Sequence, residues 1–324
     1  MAFKEKPDVT VIENCACAKC DAAAREASAI GSYSCLTNVE KQEHEQKRWL
    51  SYPTLMAVMR HSERMDDMFP GWDRRFEPAE AYAPYDLNMP QKLPIHRPID
   101  NYRRDPMLTR TGCILAQIVG QGLYYRDKSP DVIYCSPALR CLQTAEFVRQ
   151  ASGSSASLRV EPGLFENMSL YDAKPKLLSP EHRTCFGVDR DYKPLFDFDQ
   201  MYEKGETNKD YNERIHTVLH RIATTAETCD GPRRDESRVL VVGHASTVDM
   251  AVGLLGEPVR HSTMQDLHKI GDRVPYCSLV CLVPQKPTLA PTADSVWKLQ
   301  IGAVPPVSYK NFSNRPNHLF IMRK

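Results

Sequence analysis

The chain has 324 residues, of which 42% are hydrophobic and 26% are charged, and its formal net charge at pH 7 is +1. This composition is typical of a soluble globular protein, and the near-neutral charge excludes a global basic field for nucleic acid or membranes. No window approaches the roughly 18 consecutive apolar residues of a membrane-spanning helix, and the first residues lack the apolar segment of a signal peptide. We therefore expect a cytoplasmic protein without nucleic-acid or membrane partners.

The chain divides into three predicted segments. Residues 1–50 form a polar N-terminal arm, residues 51–304 form the main domain, and residues 305–324 form a polar C-terminal tail that is expected to wrap the surface. The chain is long enough to bury a substantial core.

The arm contains a short cysteine cluster of Cys15, Cys17 and Cys20, with Cys35 further on. Thiolates at such a spacing bind soft metals, but a structural zinc site requires four ligands and a second pair is missing. An exposed cysteine-rich tail is therefore favoured, and no metal or other cofactor is assigned to the chain. The total of eleven cysteines is odd, which argues against a disulfide scaffold. The cysteines inside apolar runs are predicted to be small buried side chains: Cys113, Cys135, Cys141, Cys277 and Cys281.

The first predicted strand covers residues 54–60 and ends in an Arg60-His61-x-x-Arg64 motif. Ligand sites in open α/β sheets lie just outside the carboxyl ends of the strands. Two guanidinium groups suit a bound phosphate, because each offers a planar pair of donors. A neutral histidine can also act as a nucleophile toward phosphorus. A charged turn without function is the alternative that this segment alone leaves open.

A long insertion over residues 66–106 follows the motif and is rich in proline, which excludes long helices. Loops of this length in compact domains are usually functional or disordered. Because it directly follows the motif, the insertion is predicted to build a wall or lid of the pocket, with a surface loop as the alternative.

Helix and strand patterns alternate after this insertion. An apolar stripe at helical spacing predicts a helix over 108–126, and a short apolar run predicts a strand over 131–135. A helix over 136–151 follows, with Ser136 as its cap and Arg140 in its first turn. The N-terminus of a helix offers free N–H groups and a positive dipole to an anion.

The next strand is predicted over 158–160, and Glu166 follows it. Residues 167–206 form a second insertion without strong periodicity, and a helix is predicted over 209–228.

The clearest buried strand covers residues 238–242 and is followed by His244 and a helix over 246–255. Two closing strands are predicted over 277–283 and 295–301. The alternation indicates an α/β protein with a mostly parallel central sheet, helices on both faces and two long insertions.

Four chemically active features thus follow four strand ends. They are the Arg60-His61-x-x-Arg64 motif, Arg140, Glu166 and His244. Each alone is ordinary, but their shared placement is not.

The stretches 60–64, 136–145 and 242–245 resemble the histidine phosphatase superfamily, which includes phosphoglycerate mutases and many acid phosphatases. A closer resemblance, over about residues 52–302, is to the phosphatase domain of the T-cell ubiquitin ligand proteins and of ecdysteroid-phosphate phosphatase. Its motifs lie at 60–66, 160–166, 243–247 and 274–277.

The resemblance implies a two-step mechanism. Neutral His61 attacks the phosphorus and forms a phosphohistidine, while Glu166 protonates the leaving oxygen and later deprotonates the attacking water. The groups that hold the phosphoryl oxygens are Arg60, Arg64, Arg140 and His244. The arginines supply the positive charge, so no metal is required. Glu166 needs a raised pKa to act as an acid near neutral pH, or the optimum falls at acidic pH.

The substrate class implied is phosphotyrosine in proteins or a bulky phosphorylated small molecule, and the closer family also suggests a homodimer. The arm is too short for the ubiquitin-associated and Src-homology 3 modules of those proteins, so their binding functions are not carried over.

One departure from the superfamily pattern is Ser62, which stands where the superfamily usually has glycine. A phosphate-binding protein without catalytic activity is therefore the first alternative, and a phosphoglycerate mutase is the second. Glu63 is expected to point to solvent or to pair with a nearby base.

Overall fold

The computed structural model describes residues 53–76, 81–224, 227–228, 231–232, 237–252, 263–284, 297–309, 312–314 and 316–317. The predicted arm over 1–50 and its cysteine cluster lie outside the described residues. The arm and the segment boundaries therefore stay predictions.

Ten strands and nine α-helices occur among the described residues. The strands are β1 (Leu55–Arg60), β2 (Val132–Cys135), β3 (Leu158–Val160), β4 (Glu227–Thr228), β5 (Gly231–Pro232), β6 (Arg238–Gly243), β7 (Leu279–Pro284), β8 (Trp297–Leu299), β9 (Ser308–Tyr309) and β10 (Phe312–Ser313). The α-helices are α1 (Met65–Met68), α2 (Asp100–Arg103), α3 (Arg110–Tyr125), α4 (Leu139–Ala151), α5 (Pro180–Arg183), α6 (Phe198–Lys204), α7 (Asn208–Thr224), α8 (Ala245–Ala251) and α9 (Met264–Arg273). Within the described part of the chain, none of these helices has the length and apolar character needed to cross a membrane.

A six-stranded sheet in the order β3-β2-β6-β1-β7-β8 forms the centre of the fold. Parallel pairing joins β3 to β2, β2 to β6 and β6 to β1, whereas β7 runs antiparallel to β1 and β8 antiparallel to β7. The four parallel strands therefore end at one edge of the sheet. The predicted α/β fold with a mostly parallel sheet is confirmed.

The central strand β1 contributes to a core on each face of the sheet, because successive side chains of a strand point in opposite directions. Leu55, Ala57 and Met59 pack in the same core as α3 and α4. Met56 and Val58 pack in the opposite core with α7, α8 and α9. Helices on both faces of the sheet are therefore confirmed.

Several element boundaries differ from the sequence predictions. The α4 helix begins at Leu139 with Ala138 as its N-cap, so the prediction of Ser136 as the cap was wrong. The α7 helix ends at Thr224, so β4 lies in the range that was predicted to be helical, and it pairs antiparallel with β5 just beyond that range. The α9 helix was not predicted, although Thr263 and Asp266 form a capping box at its start.

The first insertion is packed into the core. Trp72 and Tyr102 are almost fully buried, and their ring centroids lie 6.0 Å apart in an edge-to-face arrangement. The buried pair Arg97–Asp105, 3.0 Å apart, joins the insertion to α4, because Asp105 also accepts the backbone N–H of Leu139 at 2.7 Å. The surface-loop alternative is therefore wrong for these buried parts of the insertion, whereas residues 83–87 are exposed. Helices among the described residues of the insertion are short, as its proline content predicted, since α2 has only four residues.

A close contact between α3 and the Arg-His motif gives a first testable prediction. A Cβ on Gly112 would lie 2.3 Å from the carbonyl oxygen of Glu63, which requires a backbone shift. We expect Gly112→Ala to lower the free energy of unfolding by about 1–3 kcal/mol in urea denaturation. Gly122→Ala in the same helix is the matched control, because its Cβ would meet only the side chain of Val304, at 3.2 Å. Equal unfolding free energies for the two variants would contradict this packing argument.

Candidate active site

The carboxyl ends of the parallel strands bring the predicted site residues to one edge of the sheet. The backbone N–H of His61 donates to the carbonyl oxygen of Gly243 at 2.9 Å, which places His61 beside His244. The two imidazole centroids lie 5.4 Å apart. Arg140, in the first turn of α4, contacts both Glu166 and His244. Arg60 and Arg64 both interact electrostatically with Glu166. The six residues proposed from the sequence therefore form one cluster.

The His61 ring is buried and has a defined tautomer. Its Nδ1 lies 2.8 Å from the carbonyl oxygen of Ser62, and a carbonyl oxygen can only accept a hydrogen bond. Nδ1 therefore carries the proton, and Nε2 retains a free lone pair. Burial lowers the pKa of His61 well below its usual value, and the positive charges of Arg140 and Arg60 lower it further. The ring is thus neutral, which is the form that a nucleophile requires.

Arg60 is held from the side of α9. Its Nη1 donates to the carbonyl oxygens of Gly271 at 3.1 Å and Val274 at 2.6 Å. The ring of Tyr276 lies against the guanidinium, with 4.2 Å between Cζ and the ring centroid. The carbonyl groups at the C-terminal end of α9 therefore fix this arginine at the site.

Arg64 is oriented by the first insertion. Its Nε lies 2.9 Å from Oδ1 of Asp66, and both side chains are partly exposed. The next carboxylate, Asp67, accepts a 2.7 Å hydrogen bond from the hydroxyl of Tyr276. The start of the insertion thus contacts Arg64 of the motif and Tyr276 beside it.

Arg140 is the most buried cation of the site, with 0% of its surface exposed. Its Nη2 donates to Glu166, to the Tyr171 hydroxyl at 3.0 Å and to Nδ1 of His244 at 3.3 Å. Its Nε and Nη1 are buried and have no hydrogen-bond partner among the described residues. Buried donors without a partner are costly, so these two N–H groups are suited to an anionic ligand.

Glu166 is ionised in this arrangement, so of the two options left by the sequence, a raised pKa or an acidic optimum, the structure does not show the raised pKa. Burial alone would raise its pKa, but Arg140, His244 and Arg64 outweigh burial and lower the pKa to about 2. The Tyr171 hydroxyl also donates to the carboxylate and stabilises its charge. The main causes of the low pKa are Arg140, His244 and Arg64, and their distances from Glu166 could not be obtained from the sequence.

His244 is a neutral acceptor at Nδ1. A guanidinium can only donate, so the contact from Arg140 requires an unprotonated Nδ1, and the Nε2 proton is then donated to the hydroxyl of Ser136 at 3.0 Å. Burial lowers the pKa of His244 to about 3 despite the opposing charge of Glu166. The positive charge of the site therefore comes from the three arginines, and both histidines are neutral.

Glu63 does not take part in this cluster. Its Oε1 accepts hydrogen bonds from the Thr109 hydroxyl at 2.6 Å and from the side-chain amide of Asn88 at 3.0 Å. The expectation that Glu63 points to solvent or pairs with a base was wrong, because it ties the motif to the start of α3.

Ser62 is fully buried, and its backbone N–H donates to the Thr144 hydroxyl at 3.0 Å. Among the described residues, only Asp127 and Cys277 are non-glycine residues with positive φ. Position 62 therefore does not require the backbone freedom of glycine here.

The role of Ser62 can be tested by restoring glycine. We expect Ser62→Gly to keep kcat/KM for p-nitrophenyl phosphate within about threefold of wild type, because the local backbone conformation is open to either residue. Ser62→Val is the contrasting variant, since added volume at this buried position forces neighbouring groups apart and lowers activity. A large gain in activity for Ser62→Gly would instead show that serine suppresses catalysis.

Two residues that contact the predicted cluster were not predicted from the sequence. Tyr171 in the second insertion touches both Arg140 and Glu166, and Tyr276 after α9 covers Arg60 with its ring centroid 5.6 Å from that of His61. Tyr276 belongs to a family-like stretch, so its position there was an available signal. Nothing in the local pattern marks Tyr171.

The sheet topology and the cluster at the carboxyl ends of its parallel strands place the chain in the class of phosphoglycerate mutase-like α/β proteins. The chain belongs to the histidine phosphatase superfamily (branch 1), whose family model matches residues 99–286. The motif at 60–64 lies upstream of the matched stretch.

Individual relatives support this assignment. Ecdysteroid-phosphate phosphatase of Drosophila melanogaster is 31% identical over 250 residues, which are 75% of this chain and 31% of that protein. Human ubiquitin-associated and SH3 domain-containing protein A is 32% identical over 215 residues, 63% of this chain and 32% of its own length. The crystal structure of the Bombyx mori ecdysone phosphate phosphatase with tungstate superposes with a TM-score of 0.64 at 29% identity, covering 82% of this chain and 99% of that chain. The chain thus covers about a third of the length of the curated relatives that it matches.

Proposed function

We propose that this chain is a phosphomonoesterase that works through a phosphohistidine on His61. The observation that carries the proposal is the hydrogen bond from Nδ1 of His61 to the Ser62 carbonyl, which leaves the Nε2 lone pair free in a neutral ring. That nitrogen lies in a cluster where Arg60 and Arg140 provide positive charge for a phosphoryl group.

In the first step, Nε2 of His61 attacks the phosphorus, and the bond between phosphorus and the ester oxygen breaks. The unpartnered Nε and Nη1 of Arg140 suit two phosphoryl oxygens, and Arg60 and Arg64 offset the charge that moves to the leaving oxygen. Glu166 delivers a proton to that oxygen, so the alcohol leaves neutral.

In the second step, a water molecule attacks the phosphohistidine, and the bond between Nε2 and phosphorus breaks. Glu166 is then ionised and takes a proton from the water. The low pKa of Glu166 in the free protein, about 2, suits this basic role. A bound phosphoryl dianion beside Glu166 opposes its ionisation and so favours the acid role in the first step.

The substrate proposed is phosphotyrosine in a protein or a bulky phosphorylated small molecule. The family resemblance and the size of the two insertions support this proposal, and the name of ecdysteroid-phosphate phosphatase supports the small molecule. The charge of the three arginines supports a reaction that needs no added metal. Homodimerisation and a cytoplasmic location stay predictions from the family resemblance and the sequence.

The proposed function is tested with purified protein and p-nitrophenyl phosphate in the presence of a chelator, between pH 4 and pH 8. Hydrolysis without metal is the expected result. Phosphate binding without hydrolysis at any pH would support the phosphate-binding alternative, and turnover of 2,3-bisphosphoglycerate with mutase products would support the mutase alternative. Comparison of phosphotyrosine peptides with phosphosteroids and sugar phosphates then identifies the substrate class.

The protonation state of Glu166 gives a prediction for pH dependence. The pKa of its carboxyl in the free protein is about 2, so its acid form becomes scarcer as pH rises and kcat/KM for a poor leaving group should fall steadily from pH 5 to pH 8. We expect Glu166→Gln to lose about 10²- to 10⁴-fold with phenyl phosphate and to flatten this pH profile. The loss should be smaller for phosphohistidine formation from p-nitrophenyl phosphate, whose leaving group needs less protonation. An equal loss with both substrates would exclude Glu166 as the acid.

A further inference from the structure

Cys277 has an unusual backbone conformation at the edge of the candidate site. Its φ is +58°, in the left-handed region that favours glycine, and its side chain is fully buried. Burial raises the pKa of its thiol to about 12, so the thiol stays protonated and is a poor nucleophile. Strained backbone of this kind persists only where surrounding contacts hold it, and it is often associated with function.

Two hydrogen bonds hold this conformation. The backbone N–H of Cys277 donates to the carbonyl oxygen of His61 at 3.3 Å. The carbonyl oxygen of Cys277 accepts a 2.8 Å hydrogen bond from Nδ2 of Asn314. Cys277 therefore connects the backbone of the candidate nucleophile to the C-terminal segment.

Asn314 is itself fixed in place. It is 4% exposed, and its Oδ1 accepts the backbone N–H of Val307 at 2.5 Å while its own backbone N–H donates to the Val307 carbonyl at 2.9 Å. This buried amide differs from the polar surface wrap expected for residues 305–324. Because both Oδ1 and Nδ2 of its side-chain amide are hydrogen-bonded, Asn314 can hold the Cys277 peptide in one orientation.

We infer that Asn314 is a positioning residue for the reaction, and that it acts through the left-handed Cys277 to fix the backbone of His61. The inference rests on the proposed function, because the step for which Asn314 positions His61 is the attack by Nε2 on the phosphorus. The ring direction depends on this backbone, because Nδ1 is bonded to the carbonyl of the very next residue, Ser62. Small misplacements of a reacting atom have large kinetic costs.

Each phosphate-holding group has contacts that do not pass through Cys277. Arg64 is held by Asp66, and Arg140 contacts Glu166 and His244. Arg60 is bonded to carbonyl oxygens that precede Cys277 in the chain. Loss of the Asn314 contact should therefore slow the chemical step and leave oxyanion binding intact, whereas a merely structural role would affect neither step selectively.

Asn314→Asp tests the inference in the full-length chain, because it keeps the size and the Oδ1 acceptor but removes the amide donor to Cys277. We expect the single-turnover rate of phosphohistidine formation from p-nitrophenyl phosphate to fall about 10- to 100-fold. The dissociation constant of tungstate should change less than about threefold, because the arginine contacts remain. Gln300→Glu, the same exchange of an amide for a carboxylate at an exposed position, is the matched control and should behave as wild type.

A second pair of variants addresses the backbone at Cys277 directly. Cys277→Gly accepts the positive φ and should react faster than Cys277→Val, which disfavours it and should reproduce the slow rate of Asn314→Asp.

Three outcomes would overturn the inference. They are a wild-type rate in Asn314→Asp with only a lower melting temperature, a parallel loss of rate and tungstate binding, and a Cys277→Gly variant as slow as Cys277→Val. If the wild-type protein itself forms no phosphohistidine, the proposed function fails together with this role. An active wild type with an equally active Asn314→Asp variant refutes this role alone.

Discussion

His61→Ala is expected to lower kcat/KM for p-nitrophenyl phosphate by at least about 10⁴-fold, since removal of a covalent nucleophile usually abolishes most of the rate enhancement. A loss of this size corresponds to about 5 kcal/mol of transition-state stabilisation. The large effect is expected because Nε2 of His61 is the one imidazole nitrogen described at the site whose lone pair is available for attack. The corresponding nitrogen of His244, Nε2, donates its proton to Ser136.

The binding of phosphate should survive this change. The arginines are held by groups other than His61, so tungstate should still bind to His61→Ala as an inhibitor-like ligand. His182→Ala is the matched control, because His182 is an exposed histidine in α5 whose ring Nδ1 lies 3.0 Å from the Ser179 hydroxyl, away from the site. A His61→Ala variant that retains a tenth or more of the wild-type activity would exclude His61 as the nucleophile.

With p-nitrophenyl phosphate as substrate, Arg140→Ala is expected to have the second largest effect, with kcat/KM lower by about 10²- to 10³-fold. The substitution removes the two buried donors proposed for the phosphoryl oxygens and also removes the cation that holds Glu166 ionised. Without Arg140, the pKa of Glu166 should rise, so the pH profile of the residual activity should move to higher pH. Tungstate binding should weaken, in contrast to the result for His61→Ala.

Two further variants make the Arg140 result specific. Arg140→Lys retains the charge but not the planar fork and should recover only part of the activity. Arg149→Ala, in the last turn of the same helix, removes an arginine that pairs with Glu146 near the surface, and such pairs contribute little to stability. Similar activity losses for Arg149→Ala and Arg140→Ala would indicate that helix stability, and not the phosphoryl contact, is being measured.

The strand ends could be predicted from the sequence because their signals are local. Short apolar runs such as Leu55–Arg60 and Arg238–Gly243 are followed directly by His61 and His244, and parallel strands bring such residues to a common edge. Arg140 could be placed in the same way, since only three residues separate β2 from α4.

The electrostatic state of the site could not be predicted in this way. The pKa of Glu166 depends on the distances to Arg140 and Tyr171, and Tyr171 comes from an insertion without periodicity. Likewise, the contact between Asn314 and Cys277 joins residues that no sequence spacing relates. Both are long-range contacts, which only the folded chain defines.

The start of α4 shows a different kind of error. Ser136 and Pro137 match the pattern of a helix cap, but the helix begins at Leu139 and the Ser136 hydroxyl bonds His244 instead. Ser136 was predicted to cap the helix because the Ser-Pro pattern is typical of a helix start, whereas its hydroxyl contacts an active-site histidine. The α9 helix shows the opposite error, since its capping box is present in the sequence and yet no helix was predicted there.

The central claim is that His61 carries the phosphoryl group during turnover. The most direct measurement is an alkaline quench of the protein during reaction with p-nitrophenyl phosphate, followed by mass spectrometric mapping of the phosphorylated peptide. We predict a single phosphohistidine at His61, present in the wild type and absent in His61→Ala. Hydrolysis without any phosphoenzyme, or a phosphoryl group on His244 or another residue, would contradict this mechanism.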